Sequence, residues 1–156
     1  MEYAYKAKGA VYQSGDYFVV VFSPLITGKA KNEHIAVKIA QDIDNLLREH
    51  NRKFRNNIIN YGIGVNVGNI VNSIDEGILR FASIDKTVNI TRKISDISNN
   101  EVLLSKEVHE KTISNVKAEK VGEPSAETRG LTLFRIKRIV DHEASKKFID
   151  EFMRRQ

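Results

Sequence analysis

The glycines in segment 60–94 restrict the possible folds of this chain more than any other feature. The segment reads NYGIGVNVGNIVNSIDEGILRFASIDKTVNITRKI, and its first glycines alternate with Ile63 and Val65. Glycine within a strand marks a place where another part of the backbone comes close. The chain breaks at Gly68, resumes in short apolar runs, and reaches a helix start at Asp85. We therefore predict a strand, a turn and a helix that pack closely together.

The rest of the chain alternates between strand and helix patterns. Strands are predicted over 9–11, 17–22, 58–67, 102–104, 116–121 and 131–139, and helices over 32–50, 85–97, 105–111 and 141–156. Asn32 and Ser105 are the predicted N-caps of the first and third of these helices. The near-continuous apolar run at 17–22 predicts a strand buried on both faces. With the helix at 32–50 and the strand at 58–67 it forms a predicted right-handed βαβ unit.

Composition favours one α/β domain over 1–140, followed by a helical extension over 141–156. The 156 residues are 41% hydrophobic and include no cysteine, which excludes disulfides and thiolate metal sites. The apolar side chains of the extension recur at every fourth position, so they must cover this core or a partner. Because no apolar run could span a membrane and no signal peptide is visible, we expect a cytoplasmic protein.

The order of these motifs resembles the catalytic domain of class III adenylate/guanylate cyclases. Residues 61–68 match the family's I-G-I-x-x-G strand, and 87–93 match its G-D-x-V-N-x-x-x-R helix. Residues 14–22 look like its G-D hairpin, and 129–131 like its closing K-G-L turn. Matches in the same order cover roughly residues 8 to 139, and their shared order is more specific than any single motif.

The resemblance implies an α/β (α+β) fold, with a ferredoxin-like sheet flanked by helices and truncated at its N-terminus. The family's first strand lies between the G-D strand and the I-G-I strand, and this chain has no counterpart for it. The two neighbouring strands could close up as a direct βαβ pair. Alternatively, another chain or upstream residues of a longer protein could supply the strand. We do not expect an unfilled gap, because unpaired buried backbone is costly.

The resemblance also implies a two-metal reaction that converts a nucleoside triphosphate into a cyclic monophosphate. The family holds its Mg²⁺ or Mn²⁺ ions with two aspartates. Asp16 matches the second, although Gly-Asp is also a common hairpin turn, and both interpretations stay open. The first aspartate has no counterpart, because no F-x-D-I motif occurs in the sequence. A cation held by one carboxylate would bind weakly.

The remaining site residues are only partly kept. Asn89 matches the family's ribose-binding asparagine, and Lys93 stands where the family has a phosphate-binding arginine. Lysine keeps the charge but lacks the planar fork that grips phosphate. Arg92 lies about 100° around the helix and cannot simply replace that arginine. An exposed helix face explains Arg92 and Lys93 slightly better than a phosphate-binding role does. At the positions where the family has the Lys and Asp that recognise the base, this chain has Tyr12 and Ala82. Where the family's helix has its Gly-Asp pair, this chain has Asp85-Lys86.

We therefore predict a degenerate, catalytically silent cyclase-homology domain that acts in signalling as a regulatory, dimerising or nucleotide-binding module. It would form a homodimer or a heterodimer with a cyclase-like domain, with Asn89, Arg92 and Lys93 on the nucleotide. The cofactor would be Mg²⁺ or Mn²⁺ with a nucleoside triphosphate, or none. One alternative is half of an active cyclase, completed by a partner. Another is nucleic-acid binding through basic residues at 48–55 and 135–138, which has less support because no known binding motif accompanies them.

Overall fold

The computed structural model describes residues 2–69, 71–76, 78–82 and 85–140. The helical extension predicted over 141–156 lies outside the described residues. Five helices and eight strands follow one another in the order α1 (Glu2–Lys6), β1 (Ala10–Ser14), β2 (Tyr17–Val21), α2 (Pro24–Thr27), α3 (Glu33–Lys53), β3 (Ile63–Val65), β4 (Val71–Asp75), β5 (Ile78–Ala82), α4 (Asp85–Ile97), β6 (Val102–Ser105), α5 (Lys106–Thr112), β7 (Val116–Lys120) and β8 (Leu133–Ile139), counted over the described ranges. None of the helices in this part of the chain is long and apolar enough to cross a membrane.

The central sheet contains four strands in the order β3-β6-β8-β7. The β3–β6 pair is parallel, with Ile63 opposite Val102, whereas β8 runs antiparallel to both of its neighbours. Two hairpins, β1–β2 and β4–β5, form separate two-stranded sheets. The protein is therefore a mixed α+β structure in which two hairpins accompany one mixed sheet.

Helices cover both faces of the central sheet. Val37 and Ala40 of α3 and Val108 of α5 pack with Val65 and Leu104 on one face. On the other face, Ile94 of α4 packs with Leu103 and Leu133. Consecutive residues of β6 thus enter opposite cores, and all four of its residues are buried. A strand covered on both sides needs the continuous apolar run that the sequence has at 102–104.

Glycines bring α4 unusually close to β3. A Cβ added at Gly64 would lie 2.5 Å from the carbonyl oxygen of Thr91 and 2.8 Å from the amide nitrogen of Ser95. A Cβ at Gly62 would lie 2.6 Å from the carbonyl oxygen of Ser98. The hydroxyl of Ser95 also donates to the carbonyl of Gly62 at 2.7 Å. The predicted close approach of backbone is confirmed, and the partner of this strand is the helix that follows it.

A buried carboxylate on α3 anchors the other side of β3. Asp44, whose side chain is 5% exposed, accepts hydrogen bonds from the Tyr61 hydroxyl at 2.7 Å and from Arg48 Nε at 2.8 Å. Arg48 also donates to the carbonyl of Asn100 at 2.7 Å, and the amide of Asn100 donates to the carbonyl of Tyr61 at 2.8 Å. The carboxylate therefore ties α3 to the start of β3 and to the turn before β6.

Several sequence predictions are confirmed in detail. The helix predicted at 85–97 is α4 with the same bounds. Ser105 caps α5, because its side chain accepts a hydrogen bond from the amide of Val108. The cap predicted at Asn32 is wrong, because its Oδ1 accepts from the Thr27 hydroxyl at 2.7 Å and makes no hydrogen bond to the first turn of α3.

Three predictions around the missing strand are wrong. The strand predicted at 58–67 shortens to β3, because the side-chain amide of Asn51 exchanges two hydrogen bonds with the backbone of Ile59. The run at 17–22 is not buried on both faces, since Phe18 is 66% exposed. The βαβ unit does not form, because β2 pairs with β1 in a separate hairpin and is not a neighbour of β3. A cavity lies between the two strands, and the alternative that another chain or upstream residues supply the strand stays a prediction.

We expect Gly64→Ala to lower the free energy of unfolding by about 3 kcal/mol, because the new methyl group meets backbone atoms that cannot rotate away. Gly122→Ala is the control, since Gly122 has a φ of +61° but open space around it. The free energy of unfolding of this control should fall by only about 1 kcal/mol. Urea unfolding measures both values, and equal losses would contradict the close packing of α4 on β3.

The Tyr61–Asp44 hydrogen bond should give the protein a pH-dependent stability. Burial and this bond raise the pKa of Tyr61 from 10.0 to about 12. Between these values the unfolded chain loses the proton that the folded chain keeps, so the contribution is complete below pH 10 and lost as pH rises towards 12. Tyr61→Phe should therefore cost about 1–3 kcal/mol at pH 8 and progressively less towards pH 12.

Urea unfolding across this pH range measures the difference between the two proteins. Tyr5→Phe is the matched control, because Tyr5 is 61% exposed and should leave the unfolding curves unchanged. A difference between wild type and Tyr61→Phe that stays constant up to pH 12 would show that Tyr61 does not titrate as described.

Candidate functional site

A large cavity lies between the β1–β2 hairpin and the central sheet. Its volume is about 1170 Å³, and residues of β2, β3, α3 and α4 line it. This volume exceeds the range of roughly 300–1,000 Å³ that is typical of small-ligand pockets. The cavity occupies the place between β2 and β3 where a further strand of the sheet would lie.

The two sides of the cavity differ in chemistry. On the α3 side the lining is mainly aliphatic, with Glu33 at the start of the helix as its charged residue, and includes Ala36, Ile39, Ala40, Ile43, Leu46 and Leu47. On the α4 side the lining is polar and includes Thr87, Thr91, Arg92, Ser95 and Asp96. An occupant would therefore meet hydrocarbon on one side and hydrogen-bonding groups on the other.

Arg92 attaches the hairpin to α4. Its Nη2 donates to the hydroxyl of Ser14, and its guanidinium lies 5.3 Å from the ring centroid of Tyr17. The Tyr17 hydroxyl donates to Asp96 at 2.5 Å, and Arg129 donates to the other oxygen of Asp96 at 3.0 Å. The hydrogen bond to Asp96 raises the pKa of Tyr17 above its usual value. These contacts fix the hairpin at the polar side of the cavity.

One nitrogen of Arg92 has no hydrogen-bond partner. Its Nε is buried and lacks an acceptor, while Nη2 of the same guanidinium is used by Ser14. A buried donor without an acceptor is costly, and a charged donor more so. The Arg92 side chain thus lines the cavity, while its Nε is enclosed within the protein.

Asp16 is exposed in the two-residue turn of the hairpin, beside Gly15 with its φ of +61°, and it lines the cavity. A type II′ turn favours Gly-Asp at these positions, so the hairpin alone accounts for the pair. Within the described ranges, no three side chains of His, Asp or Glu come close enough together to hold a metal ion. The two-metal centre that the resemblance implied, which needs only two aspartates, stays a prediction with Asp16 as its one matched ligand.

Asn89 and Lys93 lie elsewhere. Both are exposed on α4, one turn apart, and neither lines the cavity. Of the four residues singled out from the sequence, the structure brings together only Asp16 and Arg92 at the cavity. Asn89 and Lys93 form a separate polar pair on the outer surface of the same helix.

The positions aligned with base reading lie on two strands. Tyr12 is half-buried in β1, opposite Val19 of β2, and Ala82 ends β5, opposite Val71 of β4. Sequence reasoning missed the contacts of Tyr17 with Asp96 and of Arg129 with Asp96. These residues are 79 and 33 positions apart, and no local pattern joins them. Only the fold could show this cluster.

Solved structures of nucleotide cyclases share this fold. The adenylyl cyclase CyaB from P. aeruginosa matches with a TM-score of 0.68 and 19% identity over 88% of this chain and 76% of its own. A guanylyl cyclase, Cya2, matches with a TM-score of 0.67 and 18% identity over 90% and 76%. The adenylate/guanylate cyclase/hydrolase from Silicibacter pomeroyi matches with a TM-score of 0.61 and 20% identity over 90% and 78%.

No family model matches the sequence, and no curated protein is significantly similar to it. At these identities the likeness establishes the fold. The predicted cyclase-type α+β fold is confirmed.

We expect Arg92→Leu to loosen the hairpin without unfolding the sheet. Loss of the Ser14 and Tyr17 contacts should lower the free energy of local opening of the hairpin by about 1–2 kcal/mol. Amide exchange at 10–21 should therefore be roughly 5–30-fold faster. Lys93→Leu is the control, because it removes the same charge from the next, exposed position. Amide exchange measured residue by residue should leave β6 unchanged in both variants. Unchanged exchange at 10–21 in Arg92→Leu would show that Arg92 does not hold the hairpin.

Proposed function

We propose that this cyclase-like domain is catalytically silent and serves as a regulatory module that holds a nucleotide and assembles with another cyclase-like domain. The observation that carries the proposal is the separation of the candidate catalytic groups. Asp16 and Arg92 line the cavity, whereas Asn89 and Lys93 lie on the outer surface of α4. A reaction that develops charge on phosphate oxygens needs its stabilising groups preorganised around one point.

The role of Arg92 supports the same conclusion. Its guanidinium is engaged by Ser14 and Tyr17 within the chain, so it acts as a structural tie for the hairpin. A phosphate-binding arginine needs its planar fork free to make two parallel hydrogen bonds. Together with the lack of a counterpart to the family's first aspartate, this arrangement favours a scaffold that has kept the fold without converging chemistry.

Asn89 and Lys93 are both exposed, and they are the residues matched to the family's nucleotide site that could still contact a nucleotide. Both side chains point to solvent from one helix face, and Lys93 carries a full positive charge. Lysine binds phosphate as a point charge, and a neighbouring amide can accept and donate hydrogen bonds to a sugar. An assembly of two such domains would place this helix face opposite the partner.

A second candidate function is half of an active cyclase. The cavity beside Asp16 favours it, because a partner that enters there could bring the counterpart of the family's first metal-binding aspartate. In that case activity would appear only on mixing with the partner. It would be lost when Asn89 is replaced by alanine.

Nucleic-acid binding has less support, because ion pairs occupy much of the basic surface. Arg135 pairs with Glu101 and Glu119, and these contacts raise its pKa further above the usual range. Lys137 also pairs with Glu119 at 2.5 Å, and Lys53 pairs with Glu49 at 2.6 Å. Phosphate contacts need basic groups whose charge is not already compensated.

The direct test is turnover by the purified chain with ATP or GTP and Mg²⁺ or Mn²⁺. We expect no cyclic nucleotide above the background of a protein-free reaction. Robust formation of either cyclic product would overturn the silent assignment. The same assay in the presence of candidate cyclase-like partners distinguishes a silent regulatory module from half of an active cyclase, because only the half-cyclase would form product on mixing.

Nucleotide binding tests the remaining part of the proposal. We expect Lys93→Ala to weaken binding of a fluorescent GTP analogue roughly tenfold, because one charge-assisted contact contributes about 1.5 kcal/mol. Lys117→Ala removes the same charge from exposed β7 and should leave the affinity nearly unchanged. Equal weakening by both variants would indicate a nonspecific charge effect instead of a site on α4.

A further inference from the structure

We propose that segment 52–60 docks on the surface of an anionic lipid bilayer. This segment, here called the α3 tip, comprises the last two residues of α3 and the loop that follows the helix. Every residue of the α3 tip is exposed. The inference stands independently of the proposed function, because none of these residues is among those matched to the nucleotide site.

Large apolar side chains are exposed on the α3 tip. Phe54 is 55% exposed and Ile58 is 58% exposed, and neither side chain lines the large cavity. A turn lies between them, in which the amide of Asn57 donates to the carbonyl of Phe54 at 2.9 Å. Two exposed apolar groups on one short segment form a patch that is typical of a binding surface.

The charge around these side chains is positive. Arg52 and Arg55 are exposed, and neither forms an ion pair with any residue that the structure describes. Lys53 pairs with Glu49 at 2.6 Å, but the two side chains are 59% and 50% exposed, and such a pair contributes little to stability. Three cations against the one carboxylate of Glu49 leave an excess of positive charge. Anionic lipid headgroups attract basic side chains of this kind.

The backbone of the α3 tip is held by the protein itself. The amide of Phe54 donates to the carbonyl of His50 at 2.8 Å, and the His50 ring contacts the carbonyl of Asn57 at 3.2 Å. The side-chain amide of Asn51 exchanges two hydrogen bonds of 2.8 Å with the backbone of Ile59. Backbone groups that enter a lipid phase need partners within the protein, because water is scarce there. These bonds therefore suit the α3 tip to a membrane interface.

A lipid surface fits the α3 tip better than a peptide or a nucleic acid does. Peptides bind in grooves or along free strand edges, whereas Phe54 and Ile58 lie on an exposed loop outside the cavity. Nucleic acids need aromatic rings for base stacking, and Ile58 offers none. At a bilayer, apolar side chains enter the boundary with the acyl chains while arginines stay at the headgroups.

The opposite end of α3 provides a matched control site. This helix has 21 residues and is therefore about 30 Å long. Glu33 at its start pairs with Lys111 of α5 at 2.7 Å, so Ile113 at the end of α5 lies near the end of α3 that is remote from Phe54. Ile113 is apolar and 65% exposed, and thus resembles Phe54 in everything but position and charge environment.

A single tryptophan reports whether the α3 tip enters a bilayer. The chain has no tryptophan, so Phe54→Trp places one indole in the full chain. Phosphatidylcholine vesicles with about 30% phosphatidylserine should shift its emission to the blue, and acyl-brominated lipids should quench it. Ile113→Trp should show neither effect. Urea unfolding curves like those of the wild type show that both variants are folded.

Further variants test the charge and the apolar contact separately, with co-sedimentation of the same vesicles as the measurement. Arg52→Gln combined with Arg55→Gln should weaken binding at least roughly tenfold. Lys117→Gln combined with Arg138→Gln removes the same charge from an exposed cross-strand pair of β7 and β8 and should leave binding nearly unchanged. Phe54→Ser should weaken binding roughly tenfold, with no change in the unfolding curve.

Each of four results would overturn the proposal. Equal binding to vesicles of phosphatidylcholine alone would remove the role of charge. Equal weakening by the two double variants would indicate a nonspecific charge effect. Unchanged emission of Phe54→Trp on vesicles that carry the protein down would place the membrane contact on another surface. An emission shift with polyglutamate but not with vesicles would identify an acidic polypeptide as the partner.

Discussion

The close approach of α4 to β3 is the contact on which the rest of this structure depends. It is possible only because Gly62 and Gly64 leave room for the backbone of the helix. Once α4 is placed there, Arg92 and Asp96 reach the hairpin through Ser14 and Tyr17. The hairpin is therefore held by α4 and not by a backbone ladder to the central sheet. The cavity between β2 and β3 follows directly from this manner of attachment.

Much of the fold was predictable because its signals are local. Alternating glycines, the helical period at 85–97 and the cap at Ser105 each specify an element within a few residues. The extent of β3 was not predictable, because the Asn51 side chain takes the backbone groups of Ile59 that a longer strand would use. The predicted pairing of β2 with β3 was also wrong. Two strands that flank a helix in the sequence need not be hydrogen-bonded neighbours in the sheet.

The candidate site was predictable residue by residue but not as a constellation. Sequence spacing correctly placed Asn89 and Lys93 on one helix face, and both are exposed there. It could not reveal that Arg92 is engaged by the hairpin or that Tyr17 and Asp96 form a bond across 79 positions. Which helix residues reach the cavity depends on the rotation of α4 about its axis, and glycine packing on β3 sets that rotation. The separation of Arg92 from Asn89 and Lys93 and the cavity between β2 and β3 thus have one structural origin.

The separation of β2 from β3 is the central claim, and long-range NOEs between backbone protons test it most directly. We predict strong cross-strand NOEs for the β1–β2 and β3–β6 pairs of the chain alone. We predict none between residues 17–21 and 63–65. A ladder of such NOEs between β2 and β3 would show that the two strands close up in solution, and it would contradict the account.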